Sequence, residues 1–299
     1  MNHMKLSQIT RAKNIKADDF LKQYMKAGKP IILKDFIEPD SPAFQKWNYE
    51  YFKEIAGETK VNVYGSEIES IDRVASKPIG ETTFAEYLDL ITTKITEHRL
   101  FLFNLLSLKP ELKNDIHYKD ITKGKVLKWL PFMFFGGQGS ITRNHIDIDM
   151  SHVFLSQFQG VKRIWLFPWE QSDLMYKLPY NFHSLVNLQE PDYEKYPALK
   201  RLRGYEAVIH PGETLYIPSG WWHYIQYETE GYSVSVRALP SSTLEKWRGF
   251  KNLVIIRHFD NLMRKIFKDQ WFNYKVRVAN KRAQRAMGNF EDLDFSVEL

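Results

Sequence analysis

His145-Ile146-Asp147 sets an imidazole and a carboxylate two residues apart, and Gly220-Trp221-Trp222-His223 brings a second imidazole 76 residues after Asp147. Two imidazoles and one carboxylate make up the facial triad that holds Fe(II) and leaves its remaining positions open to substrate and dioxygen. A His-x-Asp string arises by chance in roughly one of every two chains of this size and composition. This chain carries a second one, His258-Phe259-Asp260. Periodicity separates the two. Around His258 the apolar residues Trp247, Phe250, Leu253, Ile256, Phe259, Leu262 and Ile266 recur at three- and four-residue steps, as on a helix. Residues two apart on a helix diverge by about 200° and cannot share an ion. The segment around His145 leads into apolar runs that read as strands, where residues i and i+2 share a face. The first pair can chelate; the second cannot.

The elements that must position these residues follow from local pattern. A helix is expected over 17–27, with Asp18 and Asp19 near its start and Gly28 ending it, followed by a strand over 29–33. Thr83-Phe84-Ala85-Glu86 is a capping box opening a second helix. From about 100 to 239 the texture becomes short β-like runs between turn residues: 100–105, 132–135, 153–158, 162–167, 206–209, 214–217, 223–227 and 232–238. Gly136-Gly137-Gln138-Gly139 reads as a turn, because no helix with phosphate-loop residues follows it. Pro240 closes this region, and Ser242-x-x-Glu245 is a second capping box, opening a long amphipathic helix.

Composition narrows the classes. A chain of 299 residues with 43% hydrophobic content can bury a large core, and 20 Phe, 16 Tyr and 8 Trp suit a β-rich one. With no cysteine, a metal must be held by His, Asp or Glu. The start lacks an apolar leader and no apolar run is long enough to span a bilayer, so a soluble cytoplasmic protein is expected. The net charge of +6 is uneven: residues 243–288 hold twelve Lys/Arg against three acids, a net of +9, leaving −3 for the rest. The basic segment reads as a solvated helix face or as a surface for an anionic partner such as RNA.

Thr142-Arg143-Asn144-His145-Ile146-Asp147, Gln159-Gly160-Val161-Lys162-Arg163-Ile164-Trp165-Leu166-Phe167-Pro168, Pro191-Asp192-Tyr193 and Pro211-Gly212-Glu213-Thr214-Leu215-Tyr216-Ile217-Pro218 before Trp221-Trp222-His223 occur in this order. In that order they resemble the cupin-like branch of the JmjC Fe(II)/2-oxoglutarate oxygenases, and within it the asparaginyl hydroxylases of hypoxia-inducible factor. The resemblance implies His145, Asp147 and His223 as iron ligands, and Lys162 and Thr142 as contacts to the distal carboxylate of 2-oxoglutarate. Strand alternation agrees: Lys162 shares a face with Ile164 and Leu166, where an ammonium needs an anion. Two departures stand out. Phe101 falls where the relatives have a tyrosine that contacts the co-substrate. Arg237 ends the last core strand where they have an asparagine, and could share or take over the role of Lys162. Asp149, Tyr64 and His183 are weaker candidates near the metal or the substrate.

The expected fold is mainly β with flanking helices: a double-stranded β-helix, the jelly-roll or cupin barrel, with a C-terminal helical extension. Residues 1–240 would form the catalytic domain, and 241–299 the extension, whose apolar stripe is similar to a helical homodimer interface. The expected activity is hydroxylation of a C–H bond, most simply of a protein or peptide side chain, with Fe(II), 2-oxoglutarate and O₂. A cupin with other metal chemistry and a non-catalytic RNA- or protein-binding module are the alternatives at this point.

Overall fold

The computed structural model describes residues 4–66, 71, 77–101, 103–240 and 242–289. Its centre is a pair of facing antiparallel sheets built from eight strands: β1 (Phe132–Gly136), β2 (Ile141–His145), β3 (His152–Gln159), β4 (Lys162–Phe167), β5 (Arg203–Ile209), β6 (Thr214–Ile217), β7 (Trp222–Tyr227) and β8 (Gly231–Ala238). One sheet runs β5-β4-β7-β2, with Lys5–Gln8 added parallel beyond β5, and the other runs β6-β3-β8-β1. Successive strands thus alternate between sheets through most of the barrel, the double-stranded β-helix arrangement. The second sheet is widened by Arg99–Leu100, Lys60–Tyr64 and Gly80–Thr83 beyond β1, and by Ile31–Leu33 and Arg11–Ala12 beyond β6.

Alternation along the strands sorts side chains into three layers. Between the sheets lie Val153, Leu155, Ile164, Leu166, Ala207, Ile209, Leu215 and Ile217. Outside the wider sheet, Phe135, Phe154, Tyr216 and Tyr232 pack against Phe20, Phe52 and Phe84 of the N-terminal helices. The ring pairs Phe20–Tyr216, Phe52–Tyr232 and Phe84–Phe135 have centroids 5.0, 5.1 and 5.1 Å apart. Outside the narrower sheet, Trp222, Tyr224 and Phe167 are covered by residues of the 174–202 region and by Ala279 and Ala283 of the C-terminal helix.

Local signals explain most element ends. Helix Phe84–Thr93 opens with both bonds of its capping box, Glu86 N to Thr83 Oγ1 and Thr83 N to Glu86 Oε2. Gly28 adopts φ +63 after the first helix, which the structure renders as Ala17–Phe20 passing into a π turn, Leu21–Met25. Three expectations are corrected. The run over 100–105 is a strand only at Arg99–Leu100. Asn104 turns the chain, its amide bonding Pro131 O and Met133 N, and Leu105–Leu108 is a helical turn. Ser242 is the N-cap residue of Thr243–Lys251, but its side chain accepts no capping bond. The long C-terminal helix is not continuous: it passes a π turn at Asn252–Ile256 and breaks at Lys268, φ 43. The break lets the second arm return on the first, so that Trp271 Nε1 and Lys275 Nζ reach Asp260 Oδ1 at 2.8 and 2.9 Å. The carboxylate of the second His-x-Asp string is thereby spent on a buried ion pair, with His258 exposed. Among the described residues no helix is long and apolar enough to cross a membrane.

Candidate metal centre and its pocket

His145 ends β2, Asp147 follows it, and His223 is the second residue of β7. One ligand atom from each lies within 4.8 Å of the others. His145 Nε2 is 3.8 Å from Asp147 Oδ1, and the two imidazole centroids are 4.1 Å apart. A register shift makes this convergence. His145 faces His223, whereas Thr142, three residues earlier, faces Ile225, only two residues later. The extra residue in β2 is a bulge, which puts Thr142 and His145 on the same interior face although simple alternation would oppose them.

Each imidazole is oriented from behind. His145 Nδ1 donates to Arg143 O at 2.7 Å and His223 Nδ1 to Trp221 O at 3.1 Å, which directs both Nε2 lone pairs toward Asp147. Burial drives both histidines below their ordinary pKa, outweighing the pull of the neighbouring Asp147. They are neutral, as ligands must be. Burial alone would raise the Asp147 pKa, but the charge and hydrogen bond of Arg237 oppose it, and the carboxyl lies below its ordinary range. Two neutral imidazoles and one carboxylate, preset by hydrogen bonds, fit a divalent first-row metal.

Arg237 lies beside the metal site. Its guanidinium contacts Asp147 Oδ2 at 3.3 Å and Asp149 Oδ2 at 2.9 Å. It braces Asp147, and Asp149 anchors it. The C-terminal helix supports the same loop: a Cβ on Gly249 would stand 2.4 Å from Asp149 O, and Asn252 Nδ2 bonds Ile148 O at 3.1 Å.

Lys162 lies four residues along β4 from Leu166, the register partner of His223. That is about 13 Å of strand. Lys162 is 1% exposed; its ammonium donates to Ser233 Oγ on the opposite sheet and sits 4.2 Å over the Tyr227 ring. Among the described residues no carboxylate pairs with it, and burial pushes its pKa down to about 7. Thr142 Oγ1 accepts a 3.4 Å hydrogen bond from Arg99 Nη1. Half the barrel interior is thus apolar, and half, along β2, β7 and β8, is polar. Ser233 and Ser235, both buried on the inward face of β8 with Arg237, and Arg99 are pocket residues that sequence reading passed over. The alternation Tyr232-Ser233-Val234-Ser235-Val236-Arg237 carried the signal for a buried polar face.

The weaker candidates take different places. His183 stacks near His145, centroids 5.9 Å apart, and Tyr64 meets Phe101 edge-on at 5.7 Å. His152 is held by Tyr216 Oη and Ser219 N, away from the metal ligands. Trp222 turns outward to Ser172 Oγ, 3.0 Å, while Trp221 packs on the interior cluster.

The family model for the cupin-like domain matches residues 17–238. JmjC domain-containing protein D of Dictyostelium discoideum is 26% identical over 73% of this chain and 53% of its own length. Lysine-specific demethylase 8 of Xenopus tropicalis is 28% identical over 73% of this chain and 50% of its own. The chain spans about half the length of these relatives. The human tRNA wybutosine-synthesizing protein 5 is 22% identical over 82% of both chains.

Replacing Arg237 by Met releases Asp147 from its brace. Fe(II) or Mn(II) affinity, read by anaerobic calorimetry, should fall by about 10- to 100-fold with the fold intact by circular dichroism.

Proposed function

We propose that this chain, which belongs to the cupin-like domain family and its JmjC relatives, is an Fe(II)- and 2-oxoglutarate-dependent dioxygenase that hydroxylates a C–H bond of a protein side chain. The observation that carries this reading is Lys162, a buried ammonium with no carboxylate beside it among the described residues, in the same chamber as the His145, Asp147 and His223 cluster. A metal site alone would fit many reactions. A metal site with a lone cation about four strand residues away fits a short dicarboxylate that chelates at one end and pairs at the other.

Iron held by His145, Asp147 and His223 would supply dioxygen activation coupled to oxidative decarboxylation of the 2-oxo acid to succinate. The chain's residues do the rest. Lys162 and Thr142 hold the distal carboxylate and so set the direction in which the 2-oxo end points. Arg237, paired with Asp147 and Asp149, serves the Asp147 carboxylate in this reading. Leu155, Ile164 and Leu166 keep the opposite half of the chamber dry, which confines oxidation to the bound substrate.

The extension over 241–299 is proposed as a dimerisation arm. Trp247, Phe250, Leu262 and Ile266 are between 52% and 58% exposed on its first segment, more contiguous apolar surface than a solvated helix normally shows. A second substrate reading, a modified tRNA base, is favoured by the even coverage of the wybutosine-synthesizing relative and the +9 charge of residues 243–288.

Anaerobic Fe(II) and 2-oxoglutarate binding should be lost in Asp147→Ala and in Lys162→Ala, respectively. Succinate release in air should rise on adding the true substrate, with peptide pools and tRNA as separate arms. Equal binding of both ligands by all three proteins would sink the reading.

The lysine also makes binding pH-dependent. Lys162 is charged below about 7 and must take up a proton to pair with a carboxylate above it. 2-Oxoglutarate affinity should therefore fall by up to about tenfold per pH unit as pH rises past 7. Calorimetry of the native chain in two buffers at about pH 8 should register close to one proton taken up, falling toward none at about pH 6.

Sedimentation at micromolar concentration should give a dimer for the native chain and a monomer for Trp247→Glu/Leu262→Glu. A native monomer would refute the arm's role.

A further inference from the structure

Arg99 lies in the two-residue strand Arg99–Leu100, directly across from Gly136 of β1 and Tyr64 of the neighbouring strand. An arginine there would ordinarily meet a carboxylate. This one, half-buried, meets a hydroxyl and an aromatic ring. Its Nη1 crosses to Thr142 Oγ1 on the other sheet at 3.4 Å, and its Nε is buried without a hydrogen-bond partner. Its guanidinium carbon stands 5.7 Å from the Phe101 ring. Among the described residues no acidic group pairs with it, and burial pulls its pKa below the usual arginine value against the opposing field of Tyr227, Tyr87 and Tyr64.

The Tyr227 ring links Lys162 to the strand position that faces Arg99. Lys162 Nζ lies over Tyr227 at 4.2 Å. Tyr227 in turn lies against Gly136, the register partner of Arg99: a Cβ on that glycine would stand 2.7 Å from the tyrosine ring. Beside it, Ser140 Oγ is also buried without a partner. Two cations, a threonine hydroxyl and an unsatisfied serine hydroxyl therefore surround the far end of the chamber. Unpaired buried donors of this kind are costly unless an anion satisfies them.

We propose that Arg99 is a co-substrate-binding residue, whose guanidinium takes the distal carboxylate of the 2-oxo acid together with Lys162 and Thr142, in place of the hydroxyl that Phe101 lacks. The inference rests on the 2-oxoglutarate reading above and adds a residue and a selectivity to it. A guanidinium fork and an ammonium on one carboxylate favour a dianionic 2-oxo acid over a monoanionic one more strongly than an ammonium alone. Phe101 stands two residues from Arg99 on the same run, so the guanidinium lies beside the place where a phenol is missing.

The test uses the full chain loaded with Mn(II), titrated calorimetrically with 2-oxoglutarate and, separately, with 2-oxobutyrate, which lacks the distal carboxylate. Arg99→Met should weaken 2-oxoglutarate by about tenfold or more and leave 2-oxobutyrate unchanged. Arg99→Lys, which keeps the charge and loses the fork, should fall between, and it decides the matter if Arg99→Met does not fold. Adding Phe101→Tyr to Arg99→Met should recover part of the loss, which a purely structural arginine would not allow. Arg99→Met and Arg99→Lys proteins that bind 2-oxoglutarate within about twofold of the native chain would overturn the inference. If Lys162→Met abolishes binding in the same series, the 2-oxoglutarate reading survives that result; if the native chain binds none, both fall.

Discussion

Between Thr142 and His145, β2 carries one residue more than the facing stretch of β7, and the polar interior of the barrel hangs on that surplus. Without it, alternation would send Thr142 and His145 to opposite faces, one into the chamber and one into the outer packing. With it, His145 looks at His223 while Thr142 looks at the chamber's far end. The bulge costs a break in the ladder. It is tolerated because β2 is the last strand of its sheet and because its neighbours are held elsewhere, by Ile146 N to Phe182 O and Tyr227 N to Ser140 O.

The chamber is electrically divided. At the metal end the negative charge of Asp147 is balanced by Arg237, itself balanced by Asp149. At the far end two cations, Lys162 and Arg99, stand without a counter-charge among the described residues. Such a division destabilises the empty protein, because buried cations are held against their solvation. On the proposed reading, an anion that also reaches the His145, Asp147 and His223 cluster would relieve that strain. The apolar half, from β3 through β6, strengthens these fields by excluding water.

The C-terminal extension is tied to the chemistry through contact rather than through its charge. Gly249 admits the helix to within reach of Asp149, and Asn252 holds Ile148 O, so the helix backs the loop that carries Asp147. The second arm, returned at Lys268, places Ala279 and Ala283 against the outer face of the sheet that bears His223. Membership of the cupin-like family covers residues 17–238 and leaves this bracing outside the matched region.

Local signals in the chain were enough to locate seven of the eight barrel strands as short apolar runs and the Thr83–Glu86 helix start, because side-chain period and capping chemistry are properties of neighbouring residues. The candidate cluster of His145, Asp147 and His223, and the buried Lys162, were legible from residue type, spacing and the motifs around them. The remainder was decided by contacts between distant segments. The bulge is visible only once β2 is laid against β7. Arg237 could be read as a carboxylate-binding arginine, yet which carboxylate it meets, Asp147 and Asp149 at the loop, depends on how β8 and that loop face each other. Arg99 carried no signal in the sequence; its place beside Thr142 depends on the two sheets facing each other. The break at Lys268 has no glycine to announce it and follows from the pull of Asp260 on Trp271 and Lys275. Sequence carries the donors; the closure of one sheet on another determines which donors are left unpaired, and that is where the ligand is read.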